Sequence, residues 1–343
     1  EITAMLGLDD LGSGGFTLRA KGASVVDLYE AAITGKVGDV ALNASATVSD
    51  LSQLDDLDLR VAVNGPSLHS ITRVFGVEDW PDKPFSLEGN VDRVGGTLNI
   101  SDLTINIGGT ELVLDALLSD FPNLTASRVK LDIEGDDFAQ FRELVRAPGI
   151  ASGPFKLHAK LDVTTEAVEL LQVNLETRLG KASIAGTLGP APDYIGTRVQ
   201  VHLNGEDAHS FMSLFRIDAL PEEPFNLNAR VELLDNGLRI ERGVLVTIED
   251  DRLELGGLIT FNPGIEGSEF DLRVSGNDLA QMLDRVIDTR YIPPQPYGLD
   301  GHLGVRGDGL YIRDVKLDLM GVKLGATGSV NFTDRLLGSA FDV

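Results

Sequence analysis

A period of about 70 residues runs through the sequence, and it constrains the fold more than any other feature. Three kinds of landmark share this period: an aromatic residue after a turn, a glycine after an apolar run, and a small residue inside an alternating run. The aromatic residues are Phe16, Phe85, Phe155, Phe225 and Tyr297, the glycines are Gly65, Gly135, Gly205 and Gly276, and the small residues are Ala46, Ala116, Gly186, Gly257 and Gly328. The shared period predicts a repeat protein whose repeats stack on their neighbours.

The residues between the landmarks alternate between apolar and polar types, which is typical of strands with one apolar face. In the second repeat this pattern predicts strands over 85–91, 98–107, 112–118 and 129–133. The alternation slips between Ile100 and Leu103, which indicates a β-bulge in the second strand. Because the connections are short, we expect antiparallel neighbours, and about twenty strands in all.

A short helix is predicted at the end of each complete repeat, where acidic or Asn residues precede apolar residues at helical spacing. The first repeat differs, because residues 24–32 read as an additional helix that Ser24 caps. The last repeat stops inside its fourth strand, which we interpret as a truncation. These features predict five repeats, at 1–76 (atypical, with the extra helix), 77–147, 148–217, 218–288 and 289–343 (truncated).

One short helix cannot cover the apolar face of four strands, so something else must shield that face from water. The sheet either closes on itself as a sandwich or barrel, or curls into a groove that holds an apolar ligand. The unbroken repeat favours a mainly β fold in which one long curled sheet forms a repeating groove. The candidate lining residues are Phe85, Leu87, Leu98, Ile100, Leu112, Leu114, Val129, Leu131, Phe155, Leu157, Ile184, Val199, Val201, Phe225, Leu227, Leu255, Phe270, Leu272, Leu299 and Leu324.

The composition excludes several classes of protein. There are 29 Lys and Arg against 53 Asp and Glu, and the formal net charge of −24 disfavours binding to nucleic acid. The absence of cysteine excludes disulfides, thiolate metal sites and a Cys nucleophile. No combination of acid, base and nucleophile recurs, and the histidines lack metal-ligand spacing. We therefore predict no catalytic residue, no metal site and no cofactor, and we do not expect an enzyme.

The order of these elements resembles the AsmA-like family of Gram-negative envelope proteins. The fullest copy of the shared Leu-Pro-x-x-Pro-Phe-x-Leu pattern is residues 220–227, and residues 80–87 are a close copy. Weaker copies lie at 152–157 and 14–18. The resemblance implies a bridge-like lipid-transfer protein, with a periplasmic β-groove that shields phospholipid acyl chains between the inner and outer membranes.

The resemblance also implies an inner-membrane anchor and partners in both membranes, through parts of the protein outside this chain. Residues 1–20 lack the features of a signal peptide, and no apolar run approaches the ~18 residues of a membrane helix. We therefore expect the chain to be a fragment. The alternative function is that of a structural or interaction repeat, such as an envelope assembly factor or an adhesin, with a closed core and no lipid.

Overall fold

The computed structural model describes residues 16–25, 28–50, 56–68, 82–119, 124–141, 152–165, 167–190, 193–213, 222–248, 250–261, 266–284, 293–307, 309–331 and 340–342. Within these residues the protein is mainly β, with twenty strands and three short helical segments. The hydrogen-bond pattern assigns the strands to one antiparallel sheet. The chain divides into two units, residues 1–178 (unit 1) and 179–343 (unit 2).

Unit 1 is an antiparallel meander in which each strand pairs with the next one along the chain. Its strands are β1 (Phe16–Val25), β2 (Leu28–Val37), β3 (Val40–Val48), β4 (Leu57–Gly65), β5 (Phe85–Val94), β6 (Thr97–Ile107), β7 (Thr110–Leu118), β8 (Ser127–Gly135), β9 (Phe155–Val163) and β10 (Val168–Thr177). A 3₁₀ turn at Phe138–Phe141 lies between β8 and β9. The strands predicted for the second repeat correspond to β5–β8.

Unit 2 is a meander of the same kind. Its strands are β11 (Gly180–Leu188), β12 (Arg198–Gly205), β13 (Phe225–Leu234), β14 (Gly237–Ile248), β15 (Asp251–Thr260), β16 (Glu269–Gly276), β17 (Tyr297–Arg306), β18 (Gly309–Leu319), β19 (Val322–Asn331) and β20 (Ala340–Asp342). Helix α1 (Ala208–Ser213) lies between β12 and β13, and helix α2 (Leu279–Asp284) lies between β16 and β17.

Cross-strand pairing places apolar residues opposite apolar residues, and paired residues project from the same side of a sheet. In unit 1, one row of paired residues crosses β3 to β10 through Leu42, Val63, Leu87, Ile105, Leu112, Ile133, Leu157 and Leu175. In unit 2, a row crosses β11 to β19 through Ala182, Leu203, Leu227, Val246, Leu253, Val274, Leu299, Leu317 and Leu324. We call the surface made by these rows and the apolar rows beside them the apolar face. The opposite surface is the polar face.

The predicted β-bulge is confirmed, because the register between β6 and β7 shifts between Ile100 and Leu103. Register shifts also occur in β10, β14 and β18. A bulge bends its strand and increases the local twist, so these strands depart from a flat sheet at one point each.

The additional helix predicted over residues 24–32 is wrong. These residues belong to strands β1 and β2, except for 26–27, which lie outside the described residues. The composition around Glu30 and Ala31 suits a helix, but β2 hydrogen-bonds to β1 on one side and to β3 on the other. Pairing on both sides outweighs a local preference of a few tenths of a kcal/mol per residue.

The three helical segments begin where the sequence predicts a cap. The Oδ1 atom of an acidic residue accepts a backbone hydrogen bond from the first turn of each segment: Asp137 from Ala139 (3.1 Å), Asp207 from Ser210 (2.9 Å) and Asp278 from Gln281 (3.1 Å). Such bonds satisfy N–H groups that have no partner inside the helix. The last residues of the predicted helices, which include Val145, Leu214 and Val286, lie outside the described residues.

The glycine and aromatic landmarks lie opposite each other on adjacent strands. The pairs are Gly65 with Phe85, Gly135 with Phe155, Gly205 with Phe225, and Gly276 with Tyr297. At each glycine, an added Cβ atom would lie 2.6–2.8 Å from the Cε1 atom of the paired ring. Carbon atoms pack at about 3.5–4.0 Å, so the aromatic ring occupies the space that a side chain would need.

We expect Gly205→Ala to lower the free energy of unfolding by about 1–3 kcal/mol, the usual cost of inserting a methyl group into a filled site. Its Cβ atom would meet the Phe225 ring at 2.6 Å and the Leu179 carbonyl oxygen at 2.5 Å. Gly298→Ala is the control, because the nearest atom to its Cβ would be 4.0 Å away. Thermal unfolding followed by circular dichroism measures the difference. Equal midpoints for the two variants would contradict the assigned role of the glycine.

Candidate functional site: an apolar face

The structure places the predicted lining residues on the apolar faces of the two units. Ten lie in unit 1 and ten in unit 2, and all of them lie in strands. Leu114 on β7 pairs with Leu131 on β8, for example, and Ile184 on β11 pairs with Val201 on β12. Within each unit, the alternating pattern therefore brings together side chains that share one surface.

Most of these side chains are only half-buried. Phe85, Phe155 and Phe225 are buried, and Leu324 is 44% exposed. The remaining sixteen lie between these limits. Large aliphatic side chains in the core of a two-layer protein are commonly buried completely. The described residues thus cover the apolar face only in part.

The buried aromatic residues lie at one edge of each unit, where β5, β9, β13 and β17 begin; we call it the helix edge. The Phe155 ring contacts Phe138 and Phe141 of the 3₁₀ turn, with centroids 4.8 Å and 5.8 Å away. In the same way, Phe211 of α1 lies 5.0 Å from Phe225. The helical segments therefore close the helix edge and pack against the ends of the strands.

The opposite edge of each unit, which we call the loop edge, is held by hydroxyl groups and exposes apolar residues. The backbone N–H of Ser119 donates to Ser127 Oγ at 2.9 Å, and the N–H of Thr260 donates to Ser268 Oγ at 2.9 Å. Exposed apolar side chains at this edge include Val94, Tyr194 and Phe261, which are 65%, 48% and 53% exposed. The two edges therefore differ in how far they shield apolar surface.

Sequence reasoning missed one recurring contact on the apolar face. The residue four positions after each aromatic landmark is small: Ala20, Gly89, Ala159, Ala229 and Gly301. A Cβ atom added at Gly89 would lie 2.7 Å from Leu103 Cδ1, and one at Gly301 would lie 2.6 Å from Val315 Cγ2. The small residues thus make room for side chains that follow a bulge in the neighbouring strand. Their spacing from the aromatic residues was visible in the sequence.

The polar face carries ion pairs and hydrogen bonds between neighbouring strands. Glu232 on β13 accepts hydrogen bonds from Arg198 at 2.7 Å and from Arg239 at 2.5 Å. His158 and His302 also lie on the polar face, where their cross-strand partners are Asp132 and Asp271. The Nδ1 to Oδ1 distances of these two pairs are 2.5 Å and 3.0 Å.

Shallow depressions also lie over the polar face. One of about 360 Å³ in unit 2 is lined by charged side chains that include Asp271, Arg273 and Lys316. Another of about 720 Å³ in unit 1 is lined by side chains that include Asn64 and Glu88. These depressions lie over strands, between rows of polar side chains, and their linings suit polar ligands or water.

No protein-family model matches the chain, and neither does any curated protein or solved structure. The resemblance to the AsmA-like family therefore stays a prediction.

The described helices are all too short to cross a membrane. In the same part of the chain, no three His, Asp or Glu side chains are grouped so that they could hold a metal ion.

Hydrogen bonds across the polar face lower the pKa of two carboxyl groups. The hydrogen bond with His158 lowers the pKa of Asp132 from its ordinary value of 3.8. The hydrogen bond from Arg198, supported by one from Arg239, lowers the pKa of Glu232 from its ordinary value of 4.5. The folded state therefore favours the charged form of both carboxyl groups.

We expect stability to fall below about pH 4 as these carboxyl groups protonate. A carboxyl group whose pKa is lower in the folded chain stabilises the fold above its unfolded pKa, and this contribution disappears as the pH falls through the folded pKa. In Asp132→Asn the group no longer titrates, so the unfolding temperature should fall less between about pH 7 and pH 3 than in the wild type.

Thermal unfolding across this pH range measures the effect. Asp162→Asn is the control, because Asp162 lies on the polar face of β9 and makes no ion pair with the described residues. A pH profile of Asp132→Asn identical to that of the wild type would contradict the assigned coupling.

Proposed function

We propose that the apolar face binds the acyl chains of lipids, and that this chain is a segment of a bridge-like lipid-transport protein of the Gram-negative envelope. The observation that carries the proposal is the set of apolar rows that cross each unit while most of their side chains stay half-buried. The periplasmic location, the inner-membrane anchor and the partners in both membranes rest on the resemblance to the AsmA-like family.

The size of the apolar face supports a ligand of this kind. In unit 1 the row through Leu87 crosses eight strands, which span about 34 Å at ~4.8 Å per strand. Rows through Leu114 and Ile100 run beside it, so three rows extend about 13 Å along the strands. These two lengths give the three rows an area of roughly 440 Å². This area is within the range of the largest apolar patches on monomeric proteins, and such patches are often functional.

We also propose that the ~70-residue repeat of four strands and a short helix is the building block, and that the sheet is curled into a groove. Support for the repeat comes from the glycine–aromatic pairs and the capped helical segments, which recur at its spacing. Support for the curl comes from the bulges in β6, β10, β14 and β18, because repeated bulges bend a sheet.

The mechanism follows from the two parts of a phospholipid. Burial of acyl chains gains about 0.8 kcal/mol per CH₂ group, whereas burial of an unpaired charged head group is costly. A groove that is open on one side holds the chains against the apolar face and leaves the head group in water. Because similar rows recur from strand to strand, neighbouring positions of the lipid differ little in energy. The lipid can then move along the groove, and any driving force comes from outside this chain.

The first test is the amount of lipid that the purified chain retains, measured by solvent extraction and native mass spectrometry. We expect at least one phospholipid per chain. Ile184→Asp should reduce bound lipid at least tenfold, because its carboxylate would be buried against acyl chains without a partner. Ser183→Asp is the matched control, since Ser183 is adjacent in β11 but lies on the polar face, opposite His202.

The outcomes separate the two candidate functions. Lipid retained by a folded Ile184→Asp variant at the wild-type level would contradict the acyl-binding role of the apolar face. A wild-type chain that carries no lipid and binds no hydrophobic dye would favour the structural or interaction repeat with a closed core.

A further inference from the structure

One charged residue interrupts the apolar rows of unit 1. Arg93 on β5 pairs with Leu57 on β4 and with Leu98 on β6, so its side chain projects from the apolar face. It is half-buried and lies at the loop edge, one residue before the exposed Val94. The side chain of Arg93 therefore has an apolar neighbour on each adjacent strand, and the loop edge beside it is open to water.

The corresponding positions in the three following repeats are apolar, and the first repeat has the uncharged Ser24 there. Arg93 follows the aromatic residue Phe85 by eight positions, and the residues eight positions after Phe155, Phe225 and Tyr297 are Val163, Leu233 and Val305. Val305 is buried, with 6% of its surface exposed. An aliphatic side chain therefore suits this position in the fold, and the arginine is not needed to complete the strand.

The nearest acidic residues along the chain have other partners. Asp92 precedes Arg93 but projects from the polar face, where Asn99 Nδ2 donates to its Oδ2 at 3.4 Å. Asp56 precedes Leu57, and its Oδ2 accepts a hydrogen bond from Ser49 Oγ at 3.0 Å. Within the described part of the chain, Arg93 has no ion pair, although a half-buried guanidinium group gains from an anionic partner.

We propose that Arg93 binds the phosphate group of a lipid whose acyl chains lie on the apolar face of unit 1. This inference rests on the proposed function and deepens it, because it names the residue that holds the head group and so sets the preference for a phosphate-bearing lipid. The methylene groups of an arginine pack on apolar surface while the guanidinium group reaches the water boundary. A lipid with its chains on the rows around Leu98 has its head group at the same boundary. The planar guanidinium group can donate two parallel hydrogen bonds to phosphate oxygens.

The test is competition between two lipids with identical acyl chains, phosphatidylglycerol and diacylglycerol, for the purified full chain in native mass spectrometry. We expect the wild type to prefer phosphatidylglycerol. Arg93→Leu should reduce this preference at least about tenfold, because it removes both hydrogen bonds to phosphate and one such charge-assisted bond alone contributes about that much, while diacylglycerol still binds. Arg93→Lys keeps the charge but not the paired donors, so its preference for phosphatidylglycerol should lie between those of the wild type and Arg93→Leu.

Arg60→Leu is the matched control, because it makes the same change in charge on the polar face, opposite Asn90. It should keep the wild-type preference. An equal preference in the wild type and Arg93→Leu would overturn this inference and leave the binding of acyl chains intact. Failure of the wild type to bind either lipid would overturn the proposed function and this inference with it.

Inorganic phosphate in excess distinguishes a lipid head group from free phosphate as the ligand. We expect it to leave phosphatidylglycerol bound, because the acyl chains supply most of the affinity. Phosphate that binds the lipid-free wild type, fails to bind Arg93→Leu and displaces phosphatidylglycerol would identify free phosphate as the ligand and overturn the assignment.

Discussion

The period of two along every strand is the constraint on which the rest of the structure depends. A shift of one residue in any register would move a whole strand's apolar set to the polar face. The bulge in β6 illustrates how this is avoided. Ile100 and Leu103 are three residues apart, yet they pair with Ala116 and Leu114, which are two apart. The extra residue is absorbed locally, so both large side chains stay on the apolar face.

The described residues form a sheet with only short helical segments beside it, so the ends of the strands are closed by local contacts. At the helix edge this is done by aromatic rings that lie over glycines, with short helical segments packed against the rings. Phe155 combines both contacts, since it faces Gly135 on one side and Phe138 in the 3₁₀ turn. At the loop edge, hydroxyl groups such as that of Ser127 bind backbone groups. Most of the large buried side chains thus lie near the edges, and the described residues leave the middle of each apolar face partly exposed.

The strands could be predicted because alternation is a local signal, and the bulge because it interrupts that signal. The start of strand β2 at residues 28–32 could not be predicted, because its helix-like composition is outweighed by the hydrogen bonds of β2 to β1 and β3. The sequence period identified both members of each glycine–aromatic pair. It did not predict that they contact each other, because they are about 20 residues apart and a period does not define contacts between strands. The fit of Gly89 against Leu103 depends on a bulge geometry that only the paired strands define.

The separation of charged from apolar side chains also determines which positions along the apolar face would differ for a bound lipid. A net charge of −24 favours solubility, and ion pairs such as Arg198–Glu232 and Arg273–Asp300 lie on the polar face, away from the apolar rows. Along such rows, one strand offers acyl chains nearly the same surface as the next. In the proposed mechanism, positions along the apolar face therefore differ mainly in what they offer the head group of the lipid. In unit 1, Arg93 is the one charged residue in the described apolar rows. In the proposed mechanism the acyl chains therefore set the affinity for the lipid, and Arg93 sets the position of its head group.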